Sequence, residues 1–285
     1  MLDTVNIENT IKVLPPLSAS AGQLLTVMAK QDRKIQEIVS VIEHDSALTA
    51  SILRMVNSAA FGLRREIATI KEAVTLLGDT KITSLALASL GDGLMNKELQ
   101  GYQGSRGDLG RHCLYTALVA RELARHTRGR VDPGVAFTAG LLHDLGKAII
   151  SDFLVDRLDP LIHLLQTAGT ADHLDAEKEL LGTDHCDTGY ELANHWHLPF
   201  VLRVGIKYHH LPAFALGDEK PMVYTIHLAD HLTMRHGHGT GIDSELYRLD
   251  SGYLEFVKLS LDELTAVPGL VEKEFLKTAA VLYND

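Results

Sequence analysis

Residues 136–147 read AFTAGLLHDLGK, and the rest of the chain is best understood from this stretch. Ala136, Phe137, Ala139, Leu141 and Leu142 form a helical run apolar enough to be buried, and it ends in the polar pair His143-Asp144. Adjacent residues on a helix point about 100° apart. The pair therefore cannot share one face, but it can serve a two-ion centre with the carboxylate between the ions and the imidazole to one side. Lys147 follows Asp144 at i+3, one turn on, where it could bring a cation to an anionic substrate. Taken alone, the dipeptide is equally explained as a polar helix end.

Four other segments carry matching residues. His112 opens a helix with the inner stripe Ala117, Ala120, Arg121 and Ala124. His185 opens another, with Gly189, Leu192, Ala193 and Trp196 on its apolar side. His209 and His210 end a helix backed by Val201, Val204, Gly205 and Tyr208. Asp230 lies in VYTIHLADHL between Ile226, Ala229 and Leu232, a poor place for an unpaired carboxylate. Seven such ligands converging from five helices are costly to bury without a cation, so a metal centre, with two ions, is the leading expectation. His195, His197, His227 and His231 fall on other helical faces and are left out. Asp108, four residues before His112, is a peripheral candidate only.

Composition narrows the function classes. The chain has 285 residues, 46 % hydrophobic and 22 % charged, enough for one large or two modest domains at roughly 100–200 residues each. A formal net charge of −10 argues against a nucleic-acid polymer as partner. It leaves a small anionic ligand open, because a bound metal can dominate the local field. The two cysteines, Cys113 and Cys186, each directly follow a candidate ligand. On helices their thiols should face away from the metal and pack as small apolar groups. No apolar run approaches the ~20 residues of a membrane span, and MLDTVNIENT is not a secretory leader. A cytoplasmic protein without membrane contact is the expectation.

Strand signals are nearly missing, and the fold class expected is all-α. Apolar residues recur at helical spacing at Leu24, Leu25 and Met28, then at Ile35, Ile38, Val39 and Ile42. Shorter helices follow at Leu48–Val56 and Ile70–Leu77, the latter ended by Gly78. Five glycines from Gly91 to Gly107 place a boundary or long connection near residues 95–108. This divides the chain into an N-terminal helical part, 1–100, and a metal-binding part, 101–285. In the second part, Asp132-Pro133 reads as a helix cap, Ser260 to Glu263 as a capping box, and Pro199 and Pro212 bracket one helix. RHGHGTGID, residues 235–243, reads as an exposed loop with His236 and His238 solvated.

The order His112, His143-Asp144, Asp230 resembles the HD superfamily of metal-dependent phosphohydrolases, with His185, His209 and His210 matching the extended set of its binuclear branches such as HD-GYP. Residues 209–220, HHLPAFALGDEK, lack the Gly-Tyr-Pro that would imply cyclic di-GMP. HDSALTASILRMVNSAAFG (44–62) and IATIKEAVTLLG (67–78) resemble the HDOD domain, through Asp45, Leu48, Leu53, Arg54, Asn57-Ser58, Phe61-Gly62, Ala73 and Leu77-Gly78. ELLGTDHCDTGYELANHWHLP (179–199) extends that likeness, which covers one unit from about residue 14 to the C-terminal helix. Within it, Asn57-Ser58 are expected to bond neighbouring backbone and Arg54 to make an intramolecular ion pair.

The resemblance implies a multi-helical HD-domain-like bundle with an N-terminal helical subdomain. It also implies one ion on His112, His143, Asp144 and Asp230, and a second on His185, His209 and His210, with Asp144 bridging. Nitrogen-rich ligation suits divalent transition metals, iron or manganese first, then zinc or nickel. The family implies a bacterial signal-transduction module acting on a signalling protein or a small phosphorylated ligand. The alternative is an active phosphohydrolase in which Asp144 and Lys147 are catalytic.

Overall fold

The computed structural model describes residues 2–63, 65–90, 93–167, 173–243 and 247–283. Among them there is no β-strand, only an isolated bridge between Leu99 and Gly104. The helices are α1 (Leu2–Val13), α2 (Ala19–Met28), α3 (Ile35–Glu43), α4 (Ser46–Val56), α5 (Ile70–Leu77) and α6 (Asp79–Leu90). After the glycine-rich stretch come α7 (Asp108–Ala124), α8 (Pro133–Leu142), α9 (Lys147–Leu154), α10 (Leu158–Thr167) and α11 (His173–Leu181). The chain continues through α12 (His185–His195), α13 (Phe200–Tyr208), α14 (Lys220–Arg235) and α15 (Leu261–Leu282). None of the described helices is long and apolar enough to cross a membrane.

Local chemistry sets these boundaries. The Asp45 side chain accepts from the Leu48 amide that opens α4 and from the Ser20 hydroxyl of α2, tying two helix starts together. Asp132 caps α8 through the amides of Gly134 and Val135, with Pro133 at the first helical position. Ser260 and Glu263 close a capping box on α15. Gly78 ends α5 at φ +85°, and its amide reaches the Val74 carbonyl.

Two large apolar clusters result. The smaller is built from α2 to α6, with Leu24, Met28, Ile38, Ile42, Ile52 and Ile82 fully buried. The larger surrounds α7, whose Cys113, Leu114, Tyr115, Ala117 and Ala120 are fully buried between α8, α14 and α15. The chain crosses between the two: Ile7 and Ile11 of α1 lie in the larger cluster, and Val281 of α15 packs on the smaller. Arg33 bridges them in charge, 2.6 Å from Asp132 and 3.2 Å from Asp79. Residues 97–104 pack tightly rather than trail as a linker. Leu99 and Tyr102 are fully buried, and a Cβ on Gly101 would sit 2.2 Å from the Ser151 carbonyl oxygen.

Asn57 has a backbone role. Its amide nitrogen donates to the carbonyls of Leu53 and Ile67, 2.9 Å each, and its carbonyl oxygen accepts from the Ile67 amide at 2.8 Å. It thus serves as an extra strand for a residue that has none. Arg54 is exposed, and no acidic partner pairs with it among the described residues, contrary to the ion pair expected. Because Ile67 is buried, Asn57→Ala orphans both its polar groups. The expected cost is about 1–3 kcal/mol, read from urea unfolding, with the helical content of the folded state unchanged.

Candidate metal centre

The site forms where the ends of α8 and α13 and the start of α12 meet the middle of α14 and the second turn of α7. α7 begins at Asp108 rather than at His112, after Gly107 at φ +83°, so His112 sits inside the helix and is buried on all sides. Asp108 instead accepts from the Ser105 amide and stays at the surface. Close backbone approach brings the other elements in. A Cβ on Gly140 would meet the Ala117 Cα at 2.9 Å, and one on Gly146 would lie 1.8 Å from the His185 carbonyl oxygen.

All seven expected ligands converge, each at most 5 % exposed. Four imidazoles obey one rule, donating from Nδ1 outward and turning Nε2 inward. His112 donates to the His238 carbonyl (2.7 Å), His143 to Gly140 (2.7 Å), His209 to Ile206 (2.8 Å), and His185 to the Glu177 carboxylate (2.8 Å). A carbonyl can only accept, so in their neutral form the first three turn an Nε2 lone pair inward, as a metal ligand requires.

Asp144 lies between two groups of these nitrogens. Its Oδ1 is 3.3 Å from His209 Nε2 and 3.6 Å from His185 Nε2. Its Oδ2 is 3.4 Å from His112 Nε2 and 3.6 Å from His143 Nε2. Asp230 stands beside the second group, 3.1 Å from His112 and 3.6 Å from His143, with His210 Nδ1 at 3.7 Å. Ligand atoms of Asp144, His185, His209 and His210 lie within 4.8 Å of one another, as do those of His112, His143 and Asp144. Both oxygens of Asp144, both of Asp230 and both nitrogens of His210 are buried without a well-directed hydrogen bond. Such atoms are costly unless a cation meets them. Each of the two groups of donors could hold a metal ion, and Asp144 belongs to both.

The electrostatics are those of a strained anionic core. Burial alone would push the Asp144 carboxyl up, but Lys147 and His143 hold it well below the usual carboxylate range. Asp230 behaves likewise, held down by His112 and His143 against burial. Burial opposes a charge on His112, but the carboxylates of Asp144 and Asp230 beside it prevail and push its pKa up to about 10. His209 and His210 shift the other way, chiefly through burial, and stay neutral.

Lys147 is fully buried. Its Nζ lies 2.7 Å from Asp144 Oδ2 and 2.6 Å from Asp243 Oδ2, and it donates to Thr240 Oγ1 at 3.2 Å. Thr240 donates in turn to Asp243, as does the Tyr247 hydroxyl. Tyr247 stacks on His210 with ring centroids 3.7 Å apart.

Several of these residues escape a reading of the sequence. Glu177 is the most consequential. It is fully buried and takes His185 Nδ1 and the His185 amide on one oxygen, and His173 Nδ1 and the Tyr102 hydroxyl on the other. Its position eight residues before His185, on a helix otherwise buried there at Ala176 and Leu181, was the available signal. Asp243 and Thr240 fall in the stretch expected to be an exposed loop, yet they are 0 % and 1 % exposed. That expectation is corrected: residues after Arg235 fold back over the site, and His238 stacks on Tyr115 at 4.0 Å. The Cys186 thiol was expected to face away, but its Sγ is 3.6 Å from His185 Nε2 and 3.8 Å from both ring nitrogens of His209. The His209 ring arrives from the end of α13, so spacing along α12 alone does not place it against the thiol. Of the four excluded histidines, His227 backs the site, donating to the His209 carbonyl, whereas His195 bonds the Leu14 carbonyl well away from it.

Two measurements follow. Because the metal-free site carries a proton on His112 up to about pH 10, an incoming ion displaces it. Metal affinity should rise with pH across the neutral range, with proton release visible by calorimetry in buffers of different ionisation enthalpy; pH-independent binding contradicts this. Glu177→Gln should weaken metal binding by about 10- to 100-fold, because His185 loses the carboxylate that orients it.

Comparison with known proteins agrees with this architecture. The sequence model of the HDOD domain matches residues 14–212. An uncharacterised protein of Treponema pallidum is 29 % identical over 230 residues, covering 81 % of this chain but 44 % of the relative, so the chain spans less than half of that protein. A Geobacter sulfurreducens HDOD domain protein superposes with TM-score 0.67 at 22 % identity, over 98 % of this chain and 99 % of the other. A Shewanella amazonensis protein provisionally named a phosphohydrolase gives 0.66 at 24 % identity, over 97 % of each. One from Marinobacter aquaeolei, provisionally named a signal transduction protein, gives 0.76 at 20 % identity, over 96 % of this chain and 60 % of the other. With the family pattern spanning more than half of its length, and an all-helical fold shared with these structures, the chain belongs to the HDOD family.

Proposed function

We propose that this chain is a regulatory module of bacterial signal transduction that holds a two-ion transition-metal centre in its core and acts through contact with a signalling partner rather than through turnover. The observation behind this reading is the closure of the site. Every ligand is buried, and Lys147, the one ammonium within the site among the described residues, is engaged by Asp144, Asp243 and Thr240. A phosphate contact would have to take Lys147 from these partners. In this reading Lys147 positions Asp144, and the ions brace five helices whose buried carboxylates are otherwise met only by Lys147 and the imidazoles.

A hydrolase is the second reading, and a specific feature favours it. A cleft of about 540 Å³ reaches His210 and is lined by Lys178, Leu211, Phe214 and Arg248. Bound ions of this class supply Lewis acidity and a nucleophile near neutral pH. In that case the cleft would receive a small phosphoester, Lys178 would help attract it, and Tyr247 would have to leave the His210 ring.

Two assays decide. Protein purified without chelator should contain about two transition ions per chain, and a content far below that removes the two-ion centre. Hydrolysis of an aryl phosphodiester should be equally low for the native chain and for Asp144→Ala. Turnover that disappears in the variant overturns the regulatory reading in favour of the enzyme.

A further inference from the structure

Outside the buried centre, His236, His238 and Glu272 form a second cluster of metal-ligating side chains. The Nε2 atoms of both histidines lie 3.8 Å from the same atom, Glu272 Oε2. All three side chains reach solvent, at 41 %, 24 % and 35 % exposure. The backbone beneath them is fixed. α14 ends in a turn in which His236, Gly237 and His238 return their amides to carbonyls of Leu232, Met234 and Thr233. Gly237 adopts φ +90°, a conformation that suits glycine, and this places the two imidazoles on the same side. Both rings lie near parallel over Tyr115, at 4.0 Å and 5.7 Å, and the Tyr115 hydroxyl donates to Glu272 Oε2 at 2.9 Å.

We propose that His236, His238 and Glu272 are a second, solvent-accessible site for a divalent transition ion of the zinc class, separate from the buried centre. Two imidazoles and one carboxylate are a sufficient protein set for such an ion, with the remaining position open to water. Ligands about 2.1 Å from a tetrahedral ion stand about 3.4 Å apart. Each nitrogen-to-oxygen distance here is a few tenths of an ångström longer. The two imidazole centroids are 6.1 Å apart and the three ligand atoms are not yet as closely grouped as those of the buried centre, so the ion itself must draw the exposed His236 side chain inward. The site also lies at the C-terminal end of a 16-residue helix, where the backbone dipole favours a cation.

The consequence reaches the core. The His238 carbonyl is the acceptor that orients His112, and two residues on, Thr240 holds Lys147. An ion on the outer cluster would stiffen the segment that aligns both groups, so ambient metal would bear on the buried centre through its backbone.

The test is zinc titration of the full chain as purified, followed by calorimetry, on the native protein, His236→Ala and Glu272→Gln. The native chain should take one more zinc ion than either variant, and paramagnetic cobalt should broaden the His236 and His238 ring-proton signals before other surface histidines. No additional zinc on the native chain, or the same additional zinc on all three proteins, overturns the proposal. His236 is exposed, so its replacement leaves the fold intact even if Glu272→Gln disturbs α15. The outer site does not depend on the buried one: the metal content of the protein before titration reports the buried centre separately.

Discussion

A single carboxylate, Asp144, organises the larger half of this molecule. One of its oxygens faces His185 and His209, the other His112, His143 and Lys147, and neither has a well-directed hydrogen bond. Placing such an anion at the junction of five helices is unfavourable unless positive charge surrounds it. The outward Nδ1 bonds of the imidazoles, the buried ammonium and the carboxylates behind them can all be understood as answers to that one constraint. The apolar packing around α7 excludes water and makes the constraint severe.

The helical architecture was legible because its signals are local. Caps such as Asp132-Pro133 and Ser260 to Glu263, and the apolar stripes of α3 and α4, depend only on neighbours in the chain. The seven residues that converge were legible for a different reason: each is a polar residue at an apolar helix face, and their order resembles a known pattern. Glu177 and Asp243 had no such signature. Each acts on a residue of another element, His185 or Lys147, that only the fold brings beside it, and a lone acidic residue in a polar segment resembles ordinary surface. The stretch after Arg235 misled for the same reason. Glycine and histidine suggest a solvated loop, whereas here glycine permits the tight reversal that lets Thr240 and Asp243 enter the core.

The two cores divide the labour. α2 to α6 pack as a plain apolar unit, with Asn57 supplying backbone bonds that a strand would otherwise give. α7 to α14 carry the buried charge. Arg33 joins the two, linking Asp79 at the start of α6 to Asp132, the residue that caps α8. Because α8 ends in His143, the tie acts on the helix that delivers the first ligand of the central pair.

Gly146 sets a gauge for the whole centre. With the His185 carbonyl oxygen occupying the place where a Cβ would be, the turn after Asp144 and the head of α12 touch main chain to main chain. The span between the two groups of nitrogens is therefore ruled by peptide planes, which do not stretch, rather than by rotatable side chains. Any side chain larger than hydrogen at residue 146 would have to part the turn from α12, and the two groups of nitrogens with it.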